Sequence, residues 1–414
     1  MLIKLLLISS VLVTGFSEKV RYDNYALYKV HPQNEADLKY LKALEDKHKD
    51  LDFWKTVSQV GDYASVVAPP ELRRKFEHSL KKRSIQTDLM LDNLQEAFDA
   101  QLYSRRKRDV DGPYWTNYQS MEQIYEWFHH LAATYPSIVT IVTIGSTHEG
   151  RNITGVRISR GSSNRHFVLE GGQIGADWLS PTVVTYIVNQ LVLGEDPEAR
   201  AASQDFVWHI FPFVNPDGHQ YSLDAVRTWT KNRRPTSGGN RGVDLSKNWN
   251  SQWGVINANF NPASNNYAGL GPFSEVETRL LSQYISTLYN DLVGFISFRS
   301  FGQRLLIPFA HTTAPMYNYN ETLTIGRRAV GSLAVKYGTQ YLVGTSSQVY
   351  DRTTGTSADW VKYRINPPIA LTTHLRDTGA WGYTLPVNQV LPSCEETHDF
   401  LMALIREAKF INVL

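Results

Sequence analysis

Strand-like and helix-like stretches alternate along the chain downstream of residue 109. Residues 138–144 alternate in hydrophobicity as a half-buried strand does, residues 167–169 are a short apolar strand, and residues 206–214 are another. Ser180 can cap a helix that starts at Pro181, with apolar side chains recurring on one face. This alternation predicts an α/β sheet covered by helices on both faces. Functional sites in such folds lie at the carboxyl ends of strands, where residues 173–177 fall.

Composition narrows the class of protein. A chain of 414 residues with 42% hydrophobic content can bury a large core, and this length predicts one large domain plus a smaller one. The formal net charge is only +2, so we predict neither a nucleic-acid nor a membrane partner, and we expect a monomer. Cys394 is the single cysteine, which excludes an internal disulfide, and no base accompanies it. We interpret it as a packed structural residue inside a helix that Ser393 and Glu396 cap.

The N-terminus predicts secretion. One lysine is followed by an apolar run from Leu5 to Thr14 and then by small residues, as in a signal peptide of residues 1–17. The alternative is a membrane anchor, but the run is well short of the roughly 20 apolar residues that a spanning helix needs. Asn152 and Asn320 each begin an Asn-x-Thr sequon, so we predict N-glycosylation at both.

A second processing signal lies at residues 105–108. This tetrabasic run sits in a polar stretch, and we predict cleavage after Arg108. Residues 18–108 carry two strand patterns, at 25–30 and 63–67, and two helix patterns, which indicates a compact α+β unit. We call residues 18–108 the N-terminal unit and residues 109–414 the C-terminal domain.

Short motifs in a fixed order carry a family resemblance. Any one motif is weak evidence. The ordered set makes the sequence similar, over nearly the whole chain, to the zymogens of the pancreatic-type zinc metallocarboxypeptidases of the A and B type. The resemblance implies a mixed central sheet of about eight strands with helices on both faces, an α+β pro-domain, and release of C-terminal residues from peptides. The motifs are Glu149-Gly150-Arg151, Asn215-Pro216-Asp217-Gly218, Arg227-Thr228-Trp229, Gly242-Val243-Asp244, Asn248-Trp249, Ser274-Glu275-Val276-Glu277-Thr278, Asp359-Trp360 and Leu375-Arg376-Asp377-Thr378-Gly379.

The positions that hold zinc ligands in the family carry other residues here. Catalytic zinc in carboxypeptidase A is held by two histidines and a glutamate. The resemblance places Ile174 at the first histidine, or Gln173 if the gap is shifted by one residue, Asp177 at the glutamate and Arg299 at the second histidine. Two unit charges about 4 Å apart interact by roughly 4 kcal/mol at an effective dielectric constant of 20, so a fixed guanidinium repels a dication. We therefore predict no cofactor, with zinc only if the chain is active after all.

The remaining family machinery is also replaced. His374 stands where the family has its general-base glutamate, and Thr230 stands at the arginine that stabilises the oxyanion. The pair that grips the substrate carboxylate corresponds to Ser246 and Lys247. Lys247 either attracts a carboxylate as a point charge or is a solvated surface residue. Tyr350 lies near the position of the family's lid tyrosine, although its spacing to Asp359 is one residue longer than in the family. Ala358 suggests an uncharged side-chain pocket.

These replacements predict a secreted pseudoenzyme that keeps the fold and binds a peptide or protein ligand in the old groove. We expect a buried salt bridge between Asp177 and Arg299, with His374 close to it. Two alternatives are open. One is an active or weakly active metallocarboxypeptidase, and the other is a structural or decoy protein whose surface makes the interactions.

Overall fold

The computed structural model describes residues 19–106 and 114–414, with the side chains of 103–106 and 114 outside the description. Two sheets organise these residues. The strands are β1 (Ala26–His31), β2 (Asp52–Lys55), β3 (Ala64–Ala68), β4 (Gln86–Leu91), β5 (Val139–Ser146), β6 (Asn152–Ile158), β7 (His166–Glu170), β8 (Val207–Phe211), β9 (Leu292–Arg299), β10 (Arg304–Ile307), β11 (Leu342–Thr345) and β12 (Ile369–His374).

The helices lie between these strands along the chain, as the alternating pattern predicts. They are α1 (Glu35–Lys47), α2 (Pro70–Lys82), α3 (Leu94–Arg106), α4 (Met121–Thr134), α5 (Leu179–Val192), α6 (Pro197–Asp205), α7 (Pro216–Asp224), α8 (Val276–Ser286), α9 (Tyr319–Tyr337), α10 (Ser346–Val349), α11 (Ser357–Arg364) and α12 (Val390–Phe410). Five short 3₁₀ turns complete the described elements.

The N-terminal unit is a four-stranded sheet in the order β2-β3-β1-β4, with β1 antiparallel to both of its neighbours. One face packs against α1 and α2 through residues such as Val66, Leu41 and Phe76. The other face carries Trp54 and Tyr63, which cluster with Phe301 of the C-terminal domain. The unit is therefore docked on the domain by the second face of its own sheet.

The C-terminal domain contains an eight-stranded mixed sheet in the order β11-β10-β12-β9-β7-β8-β6-β5. Its central strands β12, β9, β7 and β8 are parallel neighbours, whereas β10 and β6 run antiparallel to them. The larger apolar cluster includes residues of α4, α5, α9 and α12, and a second cluster includes residues of α8 and α11. The predicted fold class is confirmed.

The parallel strands bring their carboxyl ends to one edge of the sheet. Glu170 ends β7, Arg299 ends β9 and His374 ends β12. The segment after β7 runs directly into α5, so residues 173–177 lie at this edge. The candidate site therefore falls where the strand-helix alternation predicts it.

Two predicted helix starts are corrected. Helix α5 begins at Leu179, not Pro181, and the Asp177 carboxylate rather than the Ser180 side chain accepts the backbone N–H at this end. Helix α12 begins at Val390, so Ser393 lies inside it and its hydroxyl donates to the Gln389 carbonyl. In both cases the serine hydroxyl donates to a nearby acceptor, Asp177 for Ser180 and the Gln389 carbonyl for Ser393, instead of capping a helix.

Cys394 is fully buried within α12, in the larger apolar cluster, and burial raises the pKa of its thiol. This agrees with a packed structural residue. No helix in the described ranges combines the length and the apolar content that a bilayer crossing requires.

Candidate functional site

A cavity of about 190 Å³ lies at the carboxyl edge of the central sheet, under the N-terminal unit. Trp54 and Lys55 of the N-terminal unit line it from one side. The C-terminal domain supplies the other wall, and the structure brings most of the sequence-predicted residues together there. These are Ile174, Thr230, Ser246, Lys247, Arg299, Tyr350, Ala358 and His374.

Asp177 lies beneath this cavity, with 1% of its surface exposed. Its carboxylate accepts hydrogen bonds from the Ser180 backbone N–H at 3.0 Å, the Ser180 hydroxyl at 2.7 Å and the Ser300 backbone N–H at 2.7 Å. Burial raises the pKa of Asp177, and these donors oppose the increase. The carboxylate thus ties the start of α5 to the turn after β9.

The predicted salt bridge between Asp177 and Arg299 is wrong. In the described structure the Arg299 Nε donates to the Ser297 hydroxyl at 3.3 Å and its Nη2 donates to the Gln173 Oε1 at 3.4 Å. The short Asp177 side chain accepts three hydrogen bonds from backbone and hydroxyl donors, and the guanidinium takes partners elsewhere. Asp177 acts as a helix cap and loop anchor rather than as the hydrogen-bonded partner of Arg299.

Glu170, which the sequence reasoning missed, lies below Arg299. Its carboxylate is fully buried and accepts from the Gln173 amide and, at 3.1 Å, from the Ser357 hydroxyl. Burial raises the pKa of Glu170, and the positive charge of Arg299 opposes that rise. The available signal was an acidic residue that ends the apolar run Phe167-Val168-Leu169.

His374 is buried with 5% of its surface exposed. Its Nδ1 lies 3.1 Å from the Phe301 carbonyl oxygen, which can only accept, so we place the proton on Nδ1. Burial, together with the neighbouring charges of Arg299, Arg304 and Lys55, lowers the pKa of His374 to about 3. The ring is therefore neutral at physiological pH.

Tyr350 packs on His374 with ring centroids 4.5 Å apart. The Arg304 guanidinium lies 5.2 Å from the Tyr350 ring centroid, and the Lys55 ammonium lies 5.1 Å from it. Burial raises the pKa of the Tyr350 phenol. The Tyr350 side chain therefore forms part of the cavity wall beneath the N-terminal unit.

The other predicted site residues supply neutral donors and one cation. The Thr230 hydroxyl is buried and has no hydrogen-bond partner in the part of the chain that the structure describes. The Ser246 backbone N–H donates to Asp244 at 3.0 Å. The Lys247 Nζ donates to the Thr353 hydroxyl at 2.9 Å, and Ala358 is buried. Lys247 faces the cavity, which favours its interpretation as a ligand-facing charge.

One ion pair and several hydrogen bonds join the N-terminal unit to the cavity wall, and no sequence pattern predicts them. The Asp62 carboxylate accepts from Lys55 at 2.7 Å and from the Arg304 Nη2 at 2.7 Å, with all three side chains buried. The Asp351 carboxylate accepts from the Ser58 backbone N–H at 2.9 Å. These contacts hold the unit over the groove.

The predicted glycosylation positions, Asn152 and Asn320, do not line the groove. Residues 1–17 and Arg108 fall outside the described residues. Asn152 and Asn320 are exposed, at the start of β6 and in the first turn of α9. Glycosylation and cleavage stay predictions.

A mixed eight-stranded sheet with a groove at its carboxyl edge, covered by a small α+β unit, defines the carboxypeptidase class with its activation peptide. Sequence models of the two families agree: the one described as zinc carboxypeptidase matches residues 124–400, and the one described as carboxypeptidase activation peptide matches residues 28–101. The chain belongs to the zinc carboxypeptidase family and carries its activation peptide.

Individual relatives match over nearly the whole chain. Zinc carboxypeptidase A 1 of Anopheles gambiae is 36% identical over 395 residues, which cover 95% of this chain and 91% of the relative. Zinc carboxypeptidase A 1 of Drosophila melanogaster is 30% identical over 410 residues, which cover 96% and 94%. The crystal structure of carboxypeptidase A from Helicoverpa armigera has a TM-score of 0.84 at 23% identity, covering 94% of this chain and 98% of that one, and so shares the fold.

The prediction of no cofactor is overturned by these comparisons. The matched family and the relatives are zinc carboxypeptidases, so zinc is the cofactor that the family implies. The donor chemistry at the expected positions differs from the family's set: Ile174 offers no lone pair, Arg299 has no acceptor, and the Asp177 oxygens already accept three hydrogen bonds. These residues do not fit the family's ligand cage, so no catalytic step through the metal follows from them.

Proposed function

We propose that this chain is a secreted carboxypeptidase-like protein that has lost peptide hydrolysis and binds a peptide or protein ligand in its groove. The observation that carries the proposal is that His374, at the position of the family's general base, is buried with its Nδ1 bonded to the Phe301 carbonyl oxygen. Burial lowers its pKa to about 3, whereas an efficient general base has a pKa near the working pH. A neutral, buried imidazole of such low basicity is a poor acceptor for a proton from water.

Thr230 supports the same conclusion. Its hydroxyl stands at the position where the family resemblance expects the oxyanion arginine, and a neutral hydroxyl stabilises a developing negative charge less well than a guanidinium. Loss of one oxyanion donor costs roughly 10² to 10³ in rate. The two replacements act on different parts of the reaction, proton transfer and charge stabilisation.

The groove itself is retained, which supports a binding role. Lys247 faces the cavity and can attract a carboxylate, while Ala358 leaves room for an uncharged side chain. Secretion is proposed from the N-terminal pattern, and the exposed Asn152 and Asn320 are consistent with glycans added along that route.

One experiment, on the purified full chain before and after protease treatment that cuts the tetrabasic run at residues 105–108, separates loss of hydrolysis from a working peptidase. Peptides with free C-termini are incubated with the protein while its zinc content is quantified, and released C-terminal residues are measured by mass spectrometry. We expect no release above a blank. Turnover with one equivalent of zinc supports the second candidate, an active metallocarboxypeptidase, which the names of the relatives favour.

Binding is tested in parallel by calorimetry with the same peptides. We expect saturable binding that Lys247→Gln weakens, whereas Lys39→Gln, on the exposed face of α1, binds as the wild type does. Absence of peptide binding contradicts the groove function and leaves an interaction through the outer surface.

A further inference from the structure

Arg299, His374 and Arg304 form one row across three neighbouring strands, which we call the cationic row. His374 of β12 is in register with Arg299 of β9 and with Arg304 of β10. Residues paired across neighbouring strands extend to the same face of a sheet, and adjacent strands lie about 4.8 Å apart. The row therefore places two guanidinium groups on either side of a neutral imidazole.

Arg299 is the member of the row with spare donors toward the cavity. A guanidinium carries five N–H groups. In the described structure Arg299 uses two nitrogens, in long hydrogen bonds to Ser297 and Gln173, and it forms no ion pair at the cavity surface. Glu170 offsets its charge from beneath the cavity, where its buried Oε1 accepts from Gln173 and Ser357 and its Oε2 has no hydrogen-bond partner among the described residues.

Arg304 shows that this row accommodates a carboxylate. Its Nη2 donates to Asp62 of the N-terminal unit at 2.7 Å. Its Nε and Nη1 are buried with no acceptor among the described residues, although only 6% of the residue is exposed. Buried donors without acceptors are costly, so the row favours oxygen acceptors.

No member of the cationic row carries a negative charge that could offset the two guanidinium groups. A carboxylate at position 374, as the resemblance expects, would neutralise one of the two guanidinium groups. His374 is neutral instead, and the charges of Arg299 and Arg304 contribute to its low pKa. The same positive potential that disfavours a proton on His374 favours an anion nearby.

Two buried hydroxyls line the same cavity as Arg299. Ser300 Oγ and Thr230 Oγ1 are buried, line the cavity and have no hydrogen-bond partner within the ranges that the structure describes. A planar carboxylate accepts up to four hydrogen bonds, which matches a guanidinium accompanied by hydroxyl donors.

We propose that Arg299, with the hydroxyls of Ser300 and Thr230, binds a carboxylate of an acidic ligand in the cavity. The inference rests on the proposed function and specifies it: the groove takes peptides that present a carboxylate to the end of β9. The carboxylate comes either from the peptide C-terminus or from an acidic side chain.

Acidic residues also line the cavity and reduce its positive electrostatic potential. Asp244, Asp351 and Asp359 each accept backbone hydrogen bonds, from Ser246, Ser58 and Ala310 respectively. Their oxygens are thus partly engaged, but their charges remain. The preference for an acidic ligand therefore depends on Arg299 itself and not on the net charge of the cavity.

The test uses the intact chain and four N-acetylated tripeptides, ending in glutamate or glutamine and each with a free or an amidated C-terminus. Calorimetry measures the Kd of each, and mass spectrometry checks that the peptides stay intact. We expect the peptide with neither carboxylate to bind at least tenfold more weakly than the best of the other three. The two singly charged peptides identify whether the C-terminus or the side chain supplies the carboxylate.

The matched variants are Arg299→Gln, Arg299→Lys and Arg279→Gln, the last on the exposed side of α8. We expect Arg299→Gln to remove the advantage of the charged peptides, Arg299→Lys to restore part of it, and Arg279→Gln to match the wild type. Circular dichroism confirms that each variant is folded. An unchanged preference in Arg299→Gln overturns the proposal.

Other outcomes separate this inference from the function on which it rests. Equal binding of all four peptides contradicts the carboxylate site and leaves the groove function standing. If no peptide binds, the groove function fails, and titration with succinate decides the site alone. Succinate binding that Arg299→Gln abolishes then supports a carboxylate site, and no succinate binding overturns it.

Discussion

Asp62 and Arg304 form a buried ion pair at 2.7 Å across the junction between the N-terminal unit and the C-terminal domain. Asp62 simultaneously accepts from Lys55, so one carboxylate balances two cations beneath the docked sheet. Breaking a buried pair by removing one partner leaves an uncompensated charge, which typically costs about 3–5 kcal/mol. The contact makes the unit an integral part of the fold of the uncleaved chain.

Asp62→Asn is therefore expected to lower the free energy of unfolding by about 3–5 kcal/mol, since Lys55 and Arg304 then lose their countercharge. Urea denaturation followed by fluorescence measures the change. Glu198→Gln is the control, because the Glu198–Arg406 pair is about half exposed and such pairs contribute about 0–1 kcal/mol. Equal effects of the two substitutions contradict the structural role of Asp62.

The Asp177 and Arg299 side chains are expected to act independently. Asp177→Asn replaces an oxygen that accepts from Ser180 or Ser300 with an N–H donor, and we expect a loss of about 1–3 kcal/mol in unfolding free energy. Because the two residues form no ion pair, a double-mutant cycle with Arg299→Gln should give a coupling energy below about 0.5 kcal/mol. A coupling above about 1 kcal/mol would restore the salt bridge that the sequence suggested.

His374 should make the chain less stable in mild acid. Its folded pKa is about 3 while the unfolded value is about 6.5, so below pH 6.5 the unfolded state binds the additional proton. Stability is then lost as the pH falls from about 6.5 toward 3, by about 1.4 kcal/mol for each pH unit well below 6.5. His374→Gln should remove this contribution and so reduce the slope measured by urea denaturation between pH 6 and pH 4.5, while the contribution of His209 remains.

His209 provides a positive control for that measurement. Its pKa is also lowered to about 3 by burial, and its ring bonds His166 and Tyr284 away from the groove. His209→Gln should flatten the profile by a similar amount. If the pH dependence of the unfolding free energy keeps its wild-type slope in His374→Gln while the slope falls in His209→Gln, that result rules out a neutral buried His374.

The fold was accessible from sequence because its determinants are local and repeated. Alternating strand and helix patterns along residues 138–214 predict a helix-covered sheet, and the carboxyl ends of β7, β9 and β12 then meet at one edge. Most of the groove follows from the same topology. Ile174, Arg299 and His374 lie at that edge because each one is at or just beyond the end of a strand.

Side-chain partners were less accessible because they depend on contacts between distant segments. Asp177 accepts from Ser300, which is 123 residues away in the chain, and this bond redirects it from Arg299. Glu396 is held by Arg376 of a loop, at 2.8 Å, and so does not cap a helix at Ser393. Sequence spacing gives the position of a residue on its element, but the choice among competing donors is made by packing.

Gly355 fixes the position of Lys247 in the groove wall. Its φ of +77° lies in the left-handed region, and a Cβ added there would come within 2.2 Å of the Lys247 carbonyl oxygen. Gly355→Ala is therefore expected to displace the Lys247 backbone, in addition to the roughly 1–2 kcal/mol that a left-handed conformation costs a residue with a side chain. Urea denaturation should show a loss greater than that conformational cost alone.

Gly338→Ala is the matched control, because Gly338 has a φ of +69° at the end of α9 and an added Cβ would meet nothing within 4 Å. Both variants incur the conformational cost, but Gly355→Ala also has the steric overlap, so we expect it to be about 1–3 kcal/mol less stable than Gly338→Ala. Calorimetry should show weaker peptide binding for Gly355→Ala alone, since only this substitution moves Lys247. Equal peptide affinities in the two variants would mean that Lys247 does not contact the ligand.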